Sequence, residues 1–153
     1  MMAEAKPFPL PDLEHGPIAP LWQAAARREF RLPRCRSCGT FDWYPKGSCK
    51  QCRGSDIEWT ALSGRGTLFS WAIVERALHK PLAPIAPYIS VIVEIDEDRS
   101  TRFVTRLIDC ENQQLRAGMP VEVCFVDLGY PAVETGVTAP LFAPTDTDGP
   151  DTR

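Results

Sequence analysis

Two tight cysteine pairs, Cys35-Arg36-Ser37-Cys38 and Cys49-Lys50-Gln51-Cys52, stand ten residues apart in this chain of 153 residues. Each C-x-x-C turn lets two sulfurs face one point, and four thiolates at about 2.3 Å make a closed tetrahedral shell around Zn²⁺. Such a shell leaves no position for water or substrate. Cys35, Cys38, Cys49 and Cys52 are therefore read as ligands of one structural zinc whose binding is linked to folding of the segment. Gly39 and Gly54, which follow the two turns, are expected to supply left-handed backbone there. Iron fits the same four sulfurs. A redox role for the C-x-x-C pairs lacks the βαβ context it needs.

No apolar run approaches the roughly 20 residues of a membrane-spanning helix, and Met1 to Leu10 has no apolar stretch of the secretory kind. The expectation is a cytoplasmic protein, where paired cysteines favour metal over disulfides. The net charge of −3 is unevenly spread. Residues 27–53 hold eight basic side chains against Glu29 and Asp42, giving +6 and leaving −9 for the remainder. Four thiolates on Zn²⁺ add about −2 and leave the segment basic. The asymmetry predicts a local anionic ligand or partner surface.

The chain divides into an extended, Pro-rich tail (1–17), an N-terminal helix (18–30), the ribbon (31–60), a β-rich region (61–143) and a polar tail lacking fixed structure (144–153). The helix is placed at Pro20 to Glu29, with Pro20 in its first turn and Pro33 barring continuation. Strands are predicted at Gly66 to Glu75, Tyr88 to Ile95, Thr101 to Ile108 and Val121 to Asp127, with a short fifth at Pro140 to Ala143. A turn of helix before the fourth strand completes the pattern of a small Greek-key barrel, with an OB-fold as the best match. The fold class is mainly β: a helix and rubredoxin-like ribbon, then an OB-fold barrel.

Catalytic motifs are absent. His15 and His79 are the two histidines, and no nucleophile elbow, zinc-protease helix, phosphate loop or dinucleotide fingerprint occurs. Cys124 reads as a small core residue, and Cys110 follows a strand end. The loop Arg76 to Pro87 is long for a strand connection. It carries Arg76, His79 and Lys80, and its prolines at intervals of three predict a stiff, extended path suited either to capping the barrel or to a partner or ligand contact.

The segments Pro20-Leu21-Trp22, Arg34-Cys35-Arg36-Ser37-Cys38-Gly39, Cys49 and Cys52, Glu58-Trp59, Ser63-Gly64-Arg65-Gly66-Thr67-Leu68-Phe69-Ser70-Trp71 and Gly118-Met119-Pro120-Val121 occur in a telling order. With them, residues 18–128 resemble the zinc-ribbon and OB-fold proteins that accompany thiolase-like and other acyl-CoA enzymes. The resemblance implies a non-catalytic accessory subunit. Its partner would be a thiolase-like enzyme that makes or breaks carbon–carbon bonds in acyl-CoA thioesters, or alternatively a hydratase-type acyl-CoA enzyme, within a hetero-oligomer. With a CoA thioester as shared ligand, the candidate contacts are Arg36, Lys50 and Arg53 of the ribbon and His79 and Lys80 of the loop, since Arg binds phosphate bidentately. Trp22, Phe41, Trp43, Tyr44 and Trp59 serve equally as interface anchors or packing residues. The competing reading is a nucleic-acid-binding ribbon and OB protein, using the basic ribbon with stacking aromatics. The acidic remainder of the chain opposes it.

Overall fold

The computed structural model describes residues 10–129 and 136–145. Helix α1 (Ala19–Ala26) leads to a two-stranded antiparallel ribbon sheet, β1 (Arg31–Cys35) with β2 (Ile57–Ala61). A five-stranded closed barrel follows: β3 (Arg65–Val74), β4 (Tyr88–Ile95), β5 (Asp98–Leu107), β6 (Pro120–Leu128) and β7 (Val137–Pro144), joined in the order β3-β4-β5-β7-β6. This is OB-fold connectivity, in which the fourth and fifth strands exchange places before closure. Four strands match their sequence expectations to within three residues at each end.

The barrel forms because its strands alternate. Every second residue of β4 is buried, from Ile89 through Val91 and Val93 to Ile95. Leu68, Phe103, Leu107, Val121 and Phe142 join them inside. Each such side chain contributes about 1.5–3 kcal/mol relative to exposure. Helix, ribbon and barrel share this core. Phe30, between α1 and β1, sets its ring edge-on to Phe103 at 5.1 Å and to Phe142 at 5.7 Å, and Leu21 and Phe41 belong to the same cluster. Arg28 reinforces the junction: its guanidinium donates to the Phe125 carbonyl and pairs with Asp127 at 3.2 Å.

Two glycines explain the Ser63-Gly64-Arg65-Gly66-Thr67 string. Gly64 has φ +79°, and a Cβ there would sit 2.3 Å from Val123 Cγ1. At Gly66 a Cβ would lie 2.4 Å from the Glu94 carbonyl oxygen. The chain thus enters the barrel where β3 is pressed against β4 and β6, and only glycine leaves room.

Several expectations need correction. The helix ends at Ala26 rather than Glu29, because Arg28 turns to φ +62° to reach β6. The fifth strand has eight residues rather than four. Pro140 is tolerated inside it because β7 pairs continuously with β6 but makes a single bridge to β5 at Leu107–Phe142. The loop after β3 is not extended throughout, since Lys80–Ile85 forms 3-10 turns. Within the first tail, Asp12 Oδ1 accepts from the Glu14 and His15 amides, making a turn that leads into α1. Residues 1–9 and 146–153, the bulk of both expected tails, lie outside the described residues.

Candidate metal centre

The ribbon brings the four predicted cysteines together. Their sulfurs all lie within 4.8 Å of one another, with Cys35–Cys52 and Cys38–Cys49 each at 3.5 Å. The edge of a sulfur tetrahedron around zinc is about 3.8 Å, from a metal–sulfur distance of about 2.3 Å, so the cluster matches that donor set. Cys35 and Cys49 are buried, whereas Cys38 and Cys52 are exposed.

Two near-identical backbone turns position the sulfurs. In the first, the Cys35 amide donates to the Thr40 carbonyl at 2.9 Å and the Gly39 amide to the Cys35 carbonyl at 2.8 Å. In the second, the Cys49 amide donates to the Gly54 carbonyl at 2.8 Å and the Arg53 amide to the Cys49 carbonyl at 3.0 Å. Gly39 and Arg53 therefore occupy the same place, and both are left-handed, at φ +75° and +62°. Gly54, expected to be left-handed from its position after the pair, is not among the positive-φ residues. Its lack of a side chain matters for another reason: a Cβ would sit 3.3 Å from Cys52 Sγ and 4.0 Å from Cys35 Sγ.

Local donors tune the sulfurs. Thr40, through its hydroxyl 3.4 Å from Cys38 Sγ and its amide, brings the Cys38 thiol down to about 6. At Cys52 the Gly54 amide favours the thiolate, but the neighbouring sulfurs, chiefly Cys35 and Cys38, prevail and push the thiol up to about 11. Four thiolates so close repel one another, and a divalent cation relieves that repulsion. Cys110 and Cys124 lie elsewhere, both half-buried. Burial pushes both thiols up, the reverse of an activated nucleophile.

The basic residues of the ribbon have local partners, two of which, Asp56 and Glu58, fall outside residues 27–53. Arg36 pairs with Glu58 at 3.2 Å and lies 3.9 Å from Asp56, both on or beside β2. Lys50 stands 4.0 Å from Asp42, and Arg31 reaches Glu29 at 2.6 Å. Arg34 donates to the Gly39 carbonyl and lies over Phe41. Arg53 has no ion pair among the described residues, and neither do His79 and Lys80, which stand at the start of the 3-10 turns on the barrel. The predicted ligand cations are thus divided between two elements.

The aromatics divide as well. Phe41 is buried, and Trp43 and Trp59 pack against the core. Tyr44, stacked on Trp43 with centroids 4.3 Å apart, remains 54% exposed. Trp22, Trp43 and Tyr44 line an apolar groove of about 290 Å³ together with Leu82 and Ile85 of the loop, and Arg106 is its charged member. Sequence reasoning missed this groove because its walls come from helix, ribbon, loop and barrel.

Residues 22–58 match the family model for the ChsH2 rubredoxin-like zinc ribbon domain, and residues 59–126 match that for the ChsH2 C-terminal OB-fold domain. The chain belongs to this family. Among its relatives, a DUF35 domain-containing scaffold protein of Methanocaldococcus jannaschii is 32% identical over 93 residues, 60% of this chain and 64% of that protein. The 3-oxo-4,17-pregnadiene-20-carboxyl-CoA hydratase alpha subunit of Mycobacterium tuberculosis is 27% identical over 108 residues, 69% of this chain and 32% of that subunit. The chain thus spans less than two thirds of the first relative and about a third of the second. A solved structure, the Ltp2-ChsH2(DUF35) aldolase, superposes with a TM-score of 0.70 at 27% identity, covering 86% of this chain and 96% of that one. No helix among the described residues is long and apolar enough to cross a membrane.

Proposed function

We propose that this chain is a non-catalytic accessory subunit. In this reading it folds around one structural Zn²⁺ held by Cys35, Cys38, Cys49 and Cys52, docks on a thiolase-like acyl-CoA enzyme, and helps shape the site where that partner makes or breaks a carbon–carbon bond. The observation that carries the reading is the closed sulfur cluster, set in a rigid ribbon that shares its core with an OB barrel. It is a scaffold with a saturated metal and, among the described residues, no nucleophile–base pair. The likeness to a two-component aldolase and to scaffold proteins supports the partner class.

A CoA thioester is the proposed shared ligand. Its phosphates would meet cations that form no ion pair among the described residues, Arg53 on the ribbon and Lys80 on the loop, with His79 beside Lys80. Arg36 and Lys50 would first have to exchange Glu58 and Asp42 for phosphate. The apolar groove beside Tyr44 suits the acyl or pantetheine portion.

Co-expression of the full chain with a thiolase-like protein tests the role. A stable complex that cleaves or condenses acyl-CoA, together with an isolated chain that does neither, is the expected result. Turnover of a thioester by the isolated chain would overturn it. Charge reversal of Arg36 and Lys50 together should weaken CoA binding or complex formation, and no change in either excludes Arg36 and Lys50 from both roles. Tight, salt-sensitive oligonucleotide binding would favour the nucleic-acid reading instead.

A further inference from the structure

The barrel closes over only part of β3. Arg65, Gly66 and Thr67 register with Glu122, Val121 and Pro120 of β6, and Leu68 exchanges backbone hydrogen bonds with Gly118 and Met119. Beyond Leu68, β3 runs on for six residues, Phe69 to Val74, paired to β4 alone. Among the described residues, no backbone hydrogen bond reaches this stretch from its other edge.

The side chains show what this edge lacks. Trp71 registers with Val91 and Ile73 with Ile89, so all four share the barrel-facing side of the sheet. Val91 and Ile89 are 1% and 7% exposed, whereas Trp71 and Ile73 are 37% and 39% exposed. The barrel-facing side of β3 is therefore open only where its neighbouring strand is missing. A β-strand laid along the free edge would satisfy the outward N–H and C=O groups and cover Trp71 and Ile73 together. A globular surface could cover the side chains but would leave the backbone groups unmatched.

Proteins that keep such an edge unpaired normally guard it with charge, proline or a bulge. Phe69-Ser70-Trp71-Ala72-Ile73-Val74 contains no charge and no proline. The bulge between Leu68 and Ser70 lies at the start of the stretch and leaves the four pairs from Trp71–Val91 to Val74–Tyr88 regular. The bend after Val74 then limits the window to about six residues.

We propose that the Phe69–Val74 edge is where the partner subunit docks, by adding an extended segment of its own as a further strand of this sheet. This rests on the accessory-subunit reading. The segment it fits is about six residues long, uncharged at its centre, and apolar at the alternate positions facing Trp71 and Ile73. Main-chain bonding supplies attachment, and the two side chains set register.

Amide hydrogen exchange of the co-expressed complex against the isolated chain tests this, together with Ile73→Lys and, as a control on another strand, Ala61→Lys. Both sites are exposed, so zinc content and the thermal midpoint should match the parent. The expected result is slowed exchange confined to Phe69–Val74 and its β4 neighbours, with complex affinity falling about tenfold or more for Ile73→Lys and little for Ala61→Lys. A stable complex with unchanged exchange at Phe69–Val74, or full affinity for Ile73→Lys, overturns the edge proposal and leaves the accessory role standing. Absence of any complex overturns both. Protection that appears in the isolated chain as its concentration rises assigns the edge to a second copy and contradicts the proposal.

Discussion

Gly64→Ala measures how tightly the ribbon-to-barrel entry is built. Two separate costs arise. An alanine held at φ +79° adopts the left-handed region, worth about 1–2 kcal/mol. Its Cβ would also stand 2.3 Å from Val123 Cγ1, so Val123 must rotate or β6 must shift, an overpacking cost of about 1–3 kcal/mol. Together they predict a loss of about 2–5 kcal/mol, read as a lower urea midpoint at unchanged slope. The two parts separate in a double-mutant cycle with Val123→Ala. Removing the valine methyls relieves the overlap but not the backbone conformation, so the pair should be destabilised by about 1–3 kcal/mol less than the sum of the single changes. Gly66→Ala makes the contrast, because its clash is with the Glu94 carbonyl oxygen at 2.4 Å, part of the β4 backbone. Gly64→Ala within about 0.5 kcal/mol of the parent would refute the reasoning. Complete rescue by Val123→Ala would show that the backbone conformation contributes nothing.

Three further outcomes follow from the same geometry. Arg53→Gly should raise the thermal midpoint, because it removes a left-handed arginine at about 1–2 kcal/mol while adding unfolded-chain freedom of about 0.4–1 kcal/mol; a lower midpoint would show that the arginine side chain contributes more than its backbone costs. Asp127→Asn should change stability by under about 0.5 kcal/mol, since its pair with Arg28 is exposed on both sides; a loss above about 1 kcal/mol in chemical denaturation would contradict that. Zinc affinity should fall as pH falls, because the metal displaces thiol protons. Below about 6 the Cys38 thiol is also protonated, so competition with a zinc indicator should show the slope against pH steepening by about one proton there, and a constant slope would contradict the lowered Cys38.

The parts of this fold legible in the sequence are those set by local spacing. Two C-x-x-C units fix four sulfurs within one short segment, and their convergence needed no tertiary information. Alternation fixed β4 to the residue, because its buried face reads Ile89, Val91, Val93, Ile95 without interruption. Long-range pairing decided what local pattern could not. The length of β7 depends on a ladder with β6 that tolerates Pro140. The helix end depends on Arg28 reaching across to Phe125 and Asp127. Residues 27–53 carry an excess of +6 because Asp56 and Glu58 fall just past them, and the β1–β2 register of Arg34 with Glu58 brings these carboxylates beside Arg36. The left-handed place in the second turn fell to Arg53, where the sequence pattern pointed to the glycine one residue later.

Native mass spectrometry of the purified full chain tests the central claim most directly, because every docking role described rests on a ribbon closed by metal. One zinc ion per chain is predicted, retained under gentle ionisation, with Cys49→Ser losing both the ion and the amide protection of residues 31–61. A metal-free chain whose ribbon amides are nevertheless fully protected would contradict it.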